Sequence, residues 1–126
     1  MKAKSILVID DSRSIRLMMA HILSTSGYHV VEAVDGKDGW EKAQVQVFDM
    51  VLTDQYMPNG DGIWLIKALR NSESYRNVPI LMITMEASDE MKVMVKAAGA
   101  TGLIVKPFDS QRLIELVKKT IGETAQ

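Results

Sequence analysis

The chain has 126 residues, 15 Lys and Arg against 16 Asp and Glu, no cysteine and 47% hydrophobic residues. This length holds one core, so residues 1–126 are expected to form a single domain with no attached effector. A net charge of −1 excludes a basic footprint for nucleic acid, the apolar runs are far too short for a membrane span, and the absence of cysteine excludes disulfides, zinc-thiolate sites and thiol nucleophiles.

In chain order, basic Met1-Lys2-Ala3-Lys4 leads into Ile6-Leu7-Val8-Ile9, too short for a secretory signal core, so a cytoplasmic protein is expected. That run reads as a strand covered on both faces, because it is apolar without alternation. Ile15, Met18, Met19, Ile22 and Leu23 follow helical spacing and predict a core stripe, ended by Gly27. Tyr28 to Val34 is β-branched but carries His29 and Glu32, as an edge strand would. A helix is predicted over 37–46, with Asp35 or Gly36 near its N-cap and Trp40, Ala43 and Val47 facing inward. Met50-Val51-Leu52 is the next strand, and a helix follows Asp61-Gly62 with Ile63, Leu65, Ile66 and Leu69 inward. Asn59-Gly60 has no alternating strands beside it and reads as a loop turn. Ile80 to Ile83 is a strand, followed by a helix after Ser88-Asp89-Glu90. In that helix Met91, Met94, Val95 and Ala98 fill one side while Val93 and Ala97 lie on another. Either the helix has a broad contact or it exposes an adaptable Met-rich patch. Leu103-Ile104-Val105 is the last strand, and the helix after Asp109-Ser110 turns Leu113, Ile114, Val117 and Ile121 inward, leaving Leu116 off the stripe. Gly122 to Gln126 reads as a short tail.

Five strands alternating with five helices predict an α/β fold: a doubly wound parallel sheet of flavodoxin-like (βα)5 type, in strand order 2-1-3-4-5. Function in such folds gathers at the carboxyl ends of the strands. There stand Asp10-Asp11, Asp54, Thr84 and Lys106-Pro107. Each has an ordinary reading alone: a helix cap, a turn starter, a strand threonine, a solvated lysine. Together they are less easily dismissed. Strands ~4.8 Å apart bring the carboxylates to roughly 5 Å, where each ionised pair repels by about 3 kcal/mol at an effective dielectric near 20. Three carboxylates therefore call for a proton or a cation, and a hard ion held by few carboxylates favours Mg²⁺. Lys106 is expected on the other side of Asp54, as a point charge suited to a phosphoryl oxygen, with the Thr84 hydroxyl able to donate to another.

These motifs in this order resemble the response-regulator receiver family, of the stand-alone CheY-like type used in two-component and chemotaxis signalling, over essentially the whole chain. The matching positions are Asp10-Asp11, Asp54 within Leu52-Thr53-Asp54-Gln55-Tyr56-Met57-Pro58, Asp61-Gly62, Thr84 and Lys106-Pro107-Phe108. The resemblance implies a signalling phosphoprotein rather than a turnover enzyme. Asp54 would take a phosphoryl group from the phosphohistidine of a sensor histidine kinase or phosphotransfer protein, or from a small donor such as acetyl phosphate. Asp11, Asp54 and the Tyr56 backbone carbonyl would bind Mg²⁺, with Asp10 acting through water. It further implies a cis Lys106-Pro107 bond, movement of Thr84 toward the phosphoryl group, slow self-dephosphorylation, and an output face including Lys92, Leu103 and Leu116 that binds a downstream protein such as a motor. A monomer is expected.

The chain departs from the family at Leu103, where Tyr or Phe is usual, so switching is expected to run through aliphatic packing. Tyr56 and Glu86 fall where the family borders the path of hydrolytic water. Tyr56 reads either as a shield for the acyl phosphate or as a loop aromatic lying on the surface. Met85 replaces the common small residue, and Asn59-Gly60 stands where a hydrophobic residue usually precedes Asp-Gly. His21 and His29 lack ligand spacing. Other readings are a phosphorelay intermediate, a haloacid-dehalogenase-like phosphohydrolase, an FMN carrier and an interaction module. The phosphohydrolase needs Asp-x-Asp after the first strand, where this chain has Asp10-Asp11-Ser12, and a cap domain, for which it has no room. An FMN carrier needs a Ser/Thr/Gly phosphate loop where two carboxylates stand.

Overall fold

Strand and helix alternate because the sequence alternates between short two-sided apolar runs and one-sided stripes, and a computed structural model describing residues 3–86 and 88–122 has that order throughout. The elements are β1 (Ser5–Ile9), α1 (Arg13–Thr25), β2 (His29–Ala33), α2 (Gly36–Val45), β3 (Met50–Asp54), α3 (Gly62–Arg70), a 3-10 turn (Glu73–Tyr75), β4 (Ile80–Thr84), α4 (Asp89–Ala98), β5 (Gly102–Val105) and α5 (Ser110–Ile121). All strand pairings are parallel, in the expected order β2-β1-β3-β4-β5. The start at 1–2 and the tail at 123–126 lie outside the described residues. No helix among the described residues is long and apolar enough to cross a membrane.

Successive side chains of a strand point to opposite faces, so each apolar run feeds two cores. Leu7, Ile9, Val51, Ile80 and Met82 pack with residues of α2, α3 and α4, including Leu65, Met91 and Val95. Ile6, Val8, Met50, Leu52, Leu81, Ile83 and Ile104 pack with Met19 and Leu23 of α1 and Leu113, Val117 and Ile121 of α5. Each such fully buried aliphatic side chain contributes about 1.5–3 kcal/mol relative to an exposed one.

Polar residues start the helices as expected. Asp35, Asp61, Ser88 and Asp109 each accept from the backbone N–H three residues on, satisfying one orphan donor of the first turn. Gly62 is required by close approach: a Cβ there would lie 2.4 Å from the Asp54 carbonyl oxygen. Asn59 (φ 54°) and Gly60 (φ 99°) form the expected loop turn. Arg70 at the end of α3 donates to the carbonyls of Gly99 and Val78 at 2.8 and 2.7 Å, tying the helix to the loops before β5 and β4 at the edge opposite the site.

Two apolar assignments are corrected. Met18, expected in the core, is 41% exposed, and Val47, expected to face inward, is 56% exposed and lies past the last residue of α2. On α1 only Met19, Ala20 and Leu23 are buried, an arc narrower than the apolar spacing implied. On α4 only Met91, Val95 and Ala98 are buried, so the broad contact is not made and Val93 joins Met94 in solvent.

Candidate functional site

The five strands run parallel, so the turns after β1, β3, β4 and β5 meet along one edge. Asp10 leaves β1 with its amide donating to the Ala33 carbonyl at 3.2 Å, and it is fully buried. Its Oδ1 accepts from the Ser12 amide at 2.9 Å, which closes the turn into α1. Arg16, one turn into α1, donates from Nη1 to the Asp10 carbonyl at 2.8 Å and from Nε to Glu32 at 3.1 Å. Asp11, next in the chain, is exposed.

Asp54 closes β3 opposite Ile83 and is 8% exposed. One ligand oxygen from each of Asp10, Asp11 and Asp54 lies within 4.8 Å of the others. The donor set is three hard carboxylate oxygens with one member open to solvent, which fits a small divalent cation such as Mg²⁺ that keeps part of its water. Burial pushes the Asp54 carboxyl above its ordinary range, the Asp10 carboxylate pushes it further, and Lys106 opposes both.

Lys106 follows β5, its amide donating to the Thr84 carbonyl at 2.8 Å, and its bond to Pro107 is cis as expected. Its ammonium lies 3.2 Å from Asp10 Oδ2 and 3.3 Å from Asp54 Oδ1. It therefore bridges the two carboxylates instead of standing on the far side of Asp54. A side chain only 13% exposed is not a solvated lysine. Thr84 ends β4 fully buried, its Oγ1 accepting from the Glu86 amide at 3.1 Å.

Over Asp54 and Lys106 opens a cleft of about 390 Å³, also lined by Tyr56, Met85 and Glu86. Tyr56, 58% exposed, donates its hydroxyl to Glu86 across this cleft. That bond holds the tyrosine hydroxyl above its ordinary range and the Glu86 carboxyl below its own, the latter aided by Ser88. Gln55 is buried and accepts from the Ile63 amide at 2.9 Å, locking the loop that carries Tyr56 onto α3.

Leu103 is half-buried against the α4-side core, and Leu116 against the other. Both line a shallow cleft of about 420 Å³ with Phe108 and Arg112. Lys92 is exposed on α4 and does not line it. Sequence reading gave no site role to Arg16 or Gln55, and it placed Ser88 at a helix start without its bond to Glu86. The signal for Arg16 was Glu32, a charge inside a β-branched strand, which serves here as the partner of Arg16.

The family profile described as a response regulator receiver domain matches residues 6–118. Chemotaxis protein CheY1 of Helicobacter pylori is 37% identical over 119 residues, 93% of this chain and 96% of its own. The CAI-1 autoinducer sensor kinase/phosphatase CqsS of Vibrio cholerae is 39% identical over 115 residues, 90% of this chain, which spans 17% of that protein. Among solved structures, chemotaxis protein CheY4 of Vibrio cholerae superposes with a TM-score of 0.91 at 42% identity, covering 94% of this chain and 98% of its own. The receiver domain of sensor histidine kinase PA1611 from Pseudomonas aeruginosa PAO1, with a magnesium ion coordinated in its active-site cleft, superposes at 0.89 with 28% identity, over 95% and 98%.

Proposed function

The chain belongs to the response regulator receiver domain family, signalling proteins of two-component and chemotaxis systems, and on that premise we propose that it is a phosphorylation switch with Asp54 as phosphoacceptor. The observation that carries this reading is the placement of Asp54: at the floor of an open cleft, with the Lys106 ammonium 3.3 Å from its Oδ1.

An Asp54 carboxylate oxygen attacks phosphorus, the P–N bond to a kinase phosphohistidine breaks, and the imidazole leaves with the electron pair. With acetyl phosphate the P–O bond breaks and acetate leaves. Either way the product is an aspartyl phosphate. Such transfer depends on positioning and charge neutralisation more than on covalent help. Asp11, Asp54 and the Tyr56 carbonyl would hold Mg²⁺, with Asp10 acting through water. The ion, when bound, neutralises charge on the phosphoryl oxygens and lets Asp54 stay ionised. Lys106 stays on Asp10 while offering its charge to the phosphoryl group, and Thr84 donates its hydroxyl. The added charge biases Thr84, α4 and β5 between two arrangements and alters binding of a downstream protein through Lys92, Leu103 and Leu116. Slow self-dephosphorylation resets the switch, and a cytoplasmic setting supplies the kinase donor.

Similarity to a segment of a sensor kinase/phosphatase favours one second reading, a phosphorelay intermediate that returns the phosphoryl group rapidly to a histidine. Acetyl phosphate with Mg²⁺, followed by intact mass, tests the first step. One adduct that needs Mg²⁺ and is missing in Asp54→Asn supports the assignment. No adduct, or steady high-turnover release of phosphate, overturns it.

A further inference from the structure

The cleft over Asp54 is bordered by a run of hydrogen bonds that ends in α4. Tyr56 donates to Glu86 Oε1, Ser88 Oγ donates to Glu86 Oε2 at 2.9 Å, and the same Ser88 oxygen accepts from the Met91 amide at 3.1 Å as the N-cap of α4. The Glu86 amide is meanwhile fixed on Thr84 Oγ1 at 3.1 Å. A serine hydroxyl has one proton and two lone pairs, so the proton goes to the carboxylate and a lone pair to the helix.

We propose that Ser88 is a positioning residue for the phosphoacceptor cleft: it holds Glu86, and through it Tyr56, as a latch beside Asp54, and couples that latch to the first turn of α4. The inference rests on Asp54 being the phosphoacceptor. The bond to Glu86 is charge-assisted, and a hydroxyl that donates to a carboxylate is a stronger acceptor, so the cap on Met91 tightens when the latch is made. Coupling of this kind is reciprocal: loosening Tyr56 from Glu86 weakens the start of α4, and loosening the cap frees the latch. The polar run is a direct link between the two loops and the helix.

Three variants separate latch from cap. Ser88→Thr keeps donor and acceptor. Ser88→Asp keeps an acceptor for the Met91 amide but loses the donor to Glu86 and sets a like charge beside it. Tyr56→Phe removes only the hydroxyl. After loading with acetyl phosphate and Mg²⁺, the adduct lifetime by intact mass is expected to fall severalfold in Ser88→Asp and Tyr56→Phe. It is expected to stay within about twofold of the parent in Ser88→Thr, and to fall no further in the double variant Tyr56→Phe/Ser88→Asp. A lifetime in Ser88→Asp equal to the parent leaves Ser88 as a helix cap and overturns the latch, whereas no adduct on the parent protein overturns the phosphoacceptor reading. Hydrogen exchange at the Met91 amide tests the coupling with no phosphoryl group present. It is expected to quicken severalfold in Tyr56→Phe, and an unchanged rate overturns the coupling.

Discussion

Lys106 reaches Asp10 across the sheet, its ammonium 3.2 Å from a carboxylate that is fully buried and 96 residues away in the chain. The same ammonium bonds Asp54, so one cation offsets two carboxylates that would otherwise face each other. Removing one member of a buried pair leaves an uncompensated charge and is strongly destabilising.

Lys106→Met is therefore expected to lower unfolding stability by about 2–4 kcal/mol at neutral pH in chelator, with millimolar Mg²⁺ restoring part of the loss. Urea unfolding with and without Mg²⁺ measures both. A midpoint in chelator equal to the parent's rules out a structural part for the bridge.

Asp54 titrates above its ordinary value of 3.8, chiefly through burial and then through Asp10. The folded state holds this proton to higher pH than the unfolded state does. The group's contribution is therefore most favourable below the unfolded value and is lost as pH rises through the raised folded value. At pH 7 the ionised carboxylate is a liability. Asp54→Asn is expected to raise the melting temperature at pH 7 in chelator, with the gain fading toward pH 4. A variant less stable than the parent at pH 7, or a gain that ignores pH, contradicts this.

Strand order and the gathering of Asp10, Asp11, Asp54, Thr84 and Lys106 were legible because both follow from topology: parallel strands put every carboxyl end at one edge. What failed depends on where long side chains end. The spacing of Lys106 from Asp54 carries no information on whether a flexible four-carbon stem also reaches Asp10, and it does. Helical spacing likewise placed Met18 on a stripe wider than the sheet covers. Tyr56 and Glu86 were matched singly to one region, but a bond between loops 30 residues apart leaves no local pattern. Arg16 and the bond of Ser88 to Glu86 were missed for the same reason: each depends on a partner that only folding supplies.

Tyr56 is expected to slow loss of the phosphoryl group in two ways, by its ring at the mouth of the cleft and by its bond to Glu86. Tyr56→Ala removes both and Tyr56→Phe only the second. The adduct lifetime is expected to shorten in the order parent, Phe, Ala, with about tenfold, or ~1.4 kcal/mol of barrier, between the ends. Intact-mass time courses after removal of the donor measure it, and a lifetime in Tyr56→Ala equal to or longer than the parent's defeats the shield.

Leu103 sits on β5 opposite Met82 and packs, half-buried, against the core that holds Met91 and Val95 of α4. Two residues further along the same strands, Thr84 pairs with Val105, so motion at Thr84 is expected to reach α4 through aliphatic contacts at Leu103 as well as through Glu86. An aliphatic side chain has no hydroxyl to hold it at the surface, so any shift of Leu103 is expected to be decided by packing alone. Beryllofluoride with Mg²⁺ is expected to draw Thr84 toward Asp54 and shift Leu103 inward beneath α4. Leu103→Ala, which costs about 1–2 kcal/mol as the truncation of a half-buried leucine, is expected to leave the Thr84 movement intact while abolishing the shift of α4. Crystal structures of both proteins with and without the mimic decide it. No change around Thr84 and Leu103 in the parent pair refutes the aliphatic switch, and an undiminished α4 shift in Leu103→Ala assigns the coupling to Glu86 and Ser88 alone.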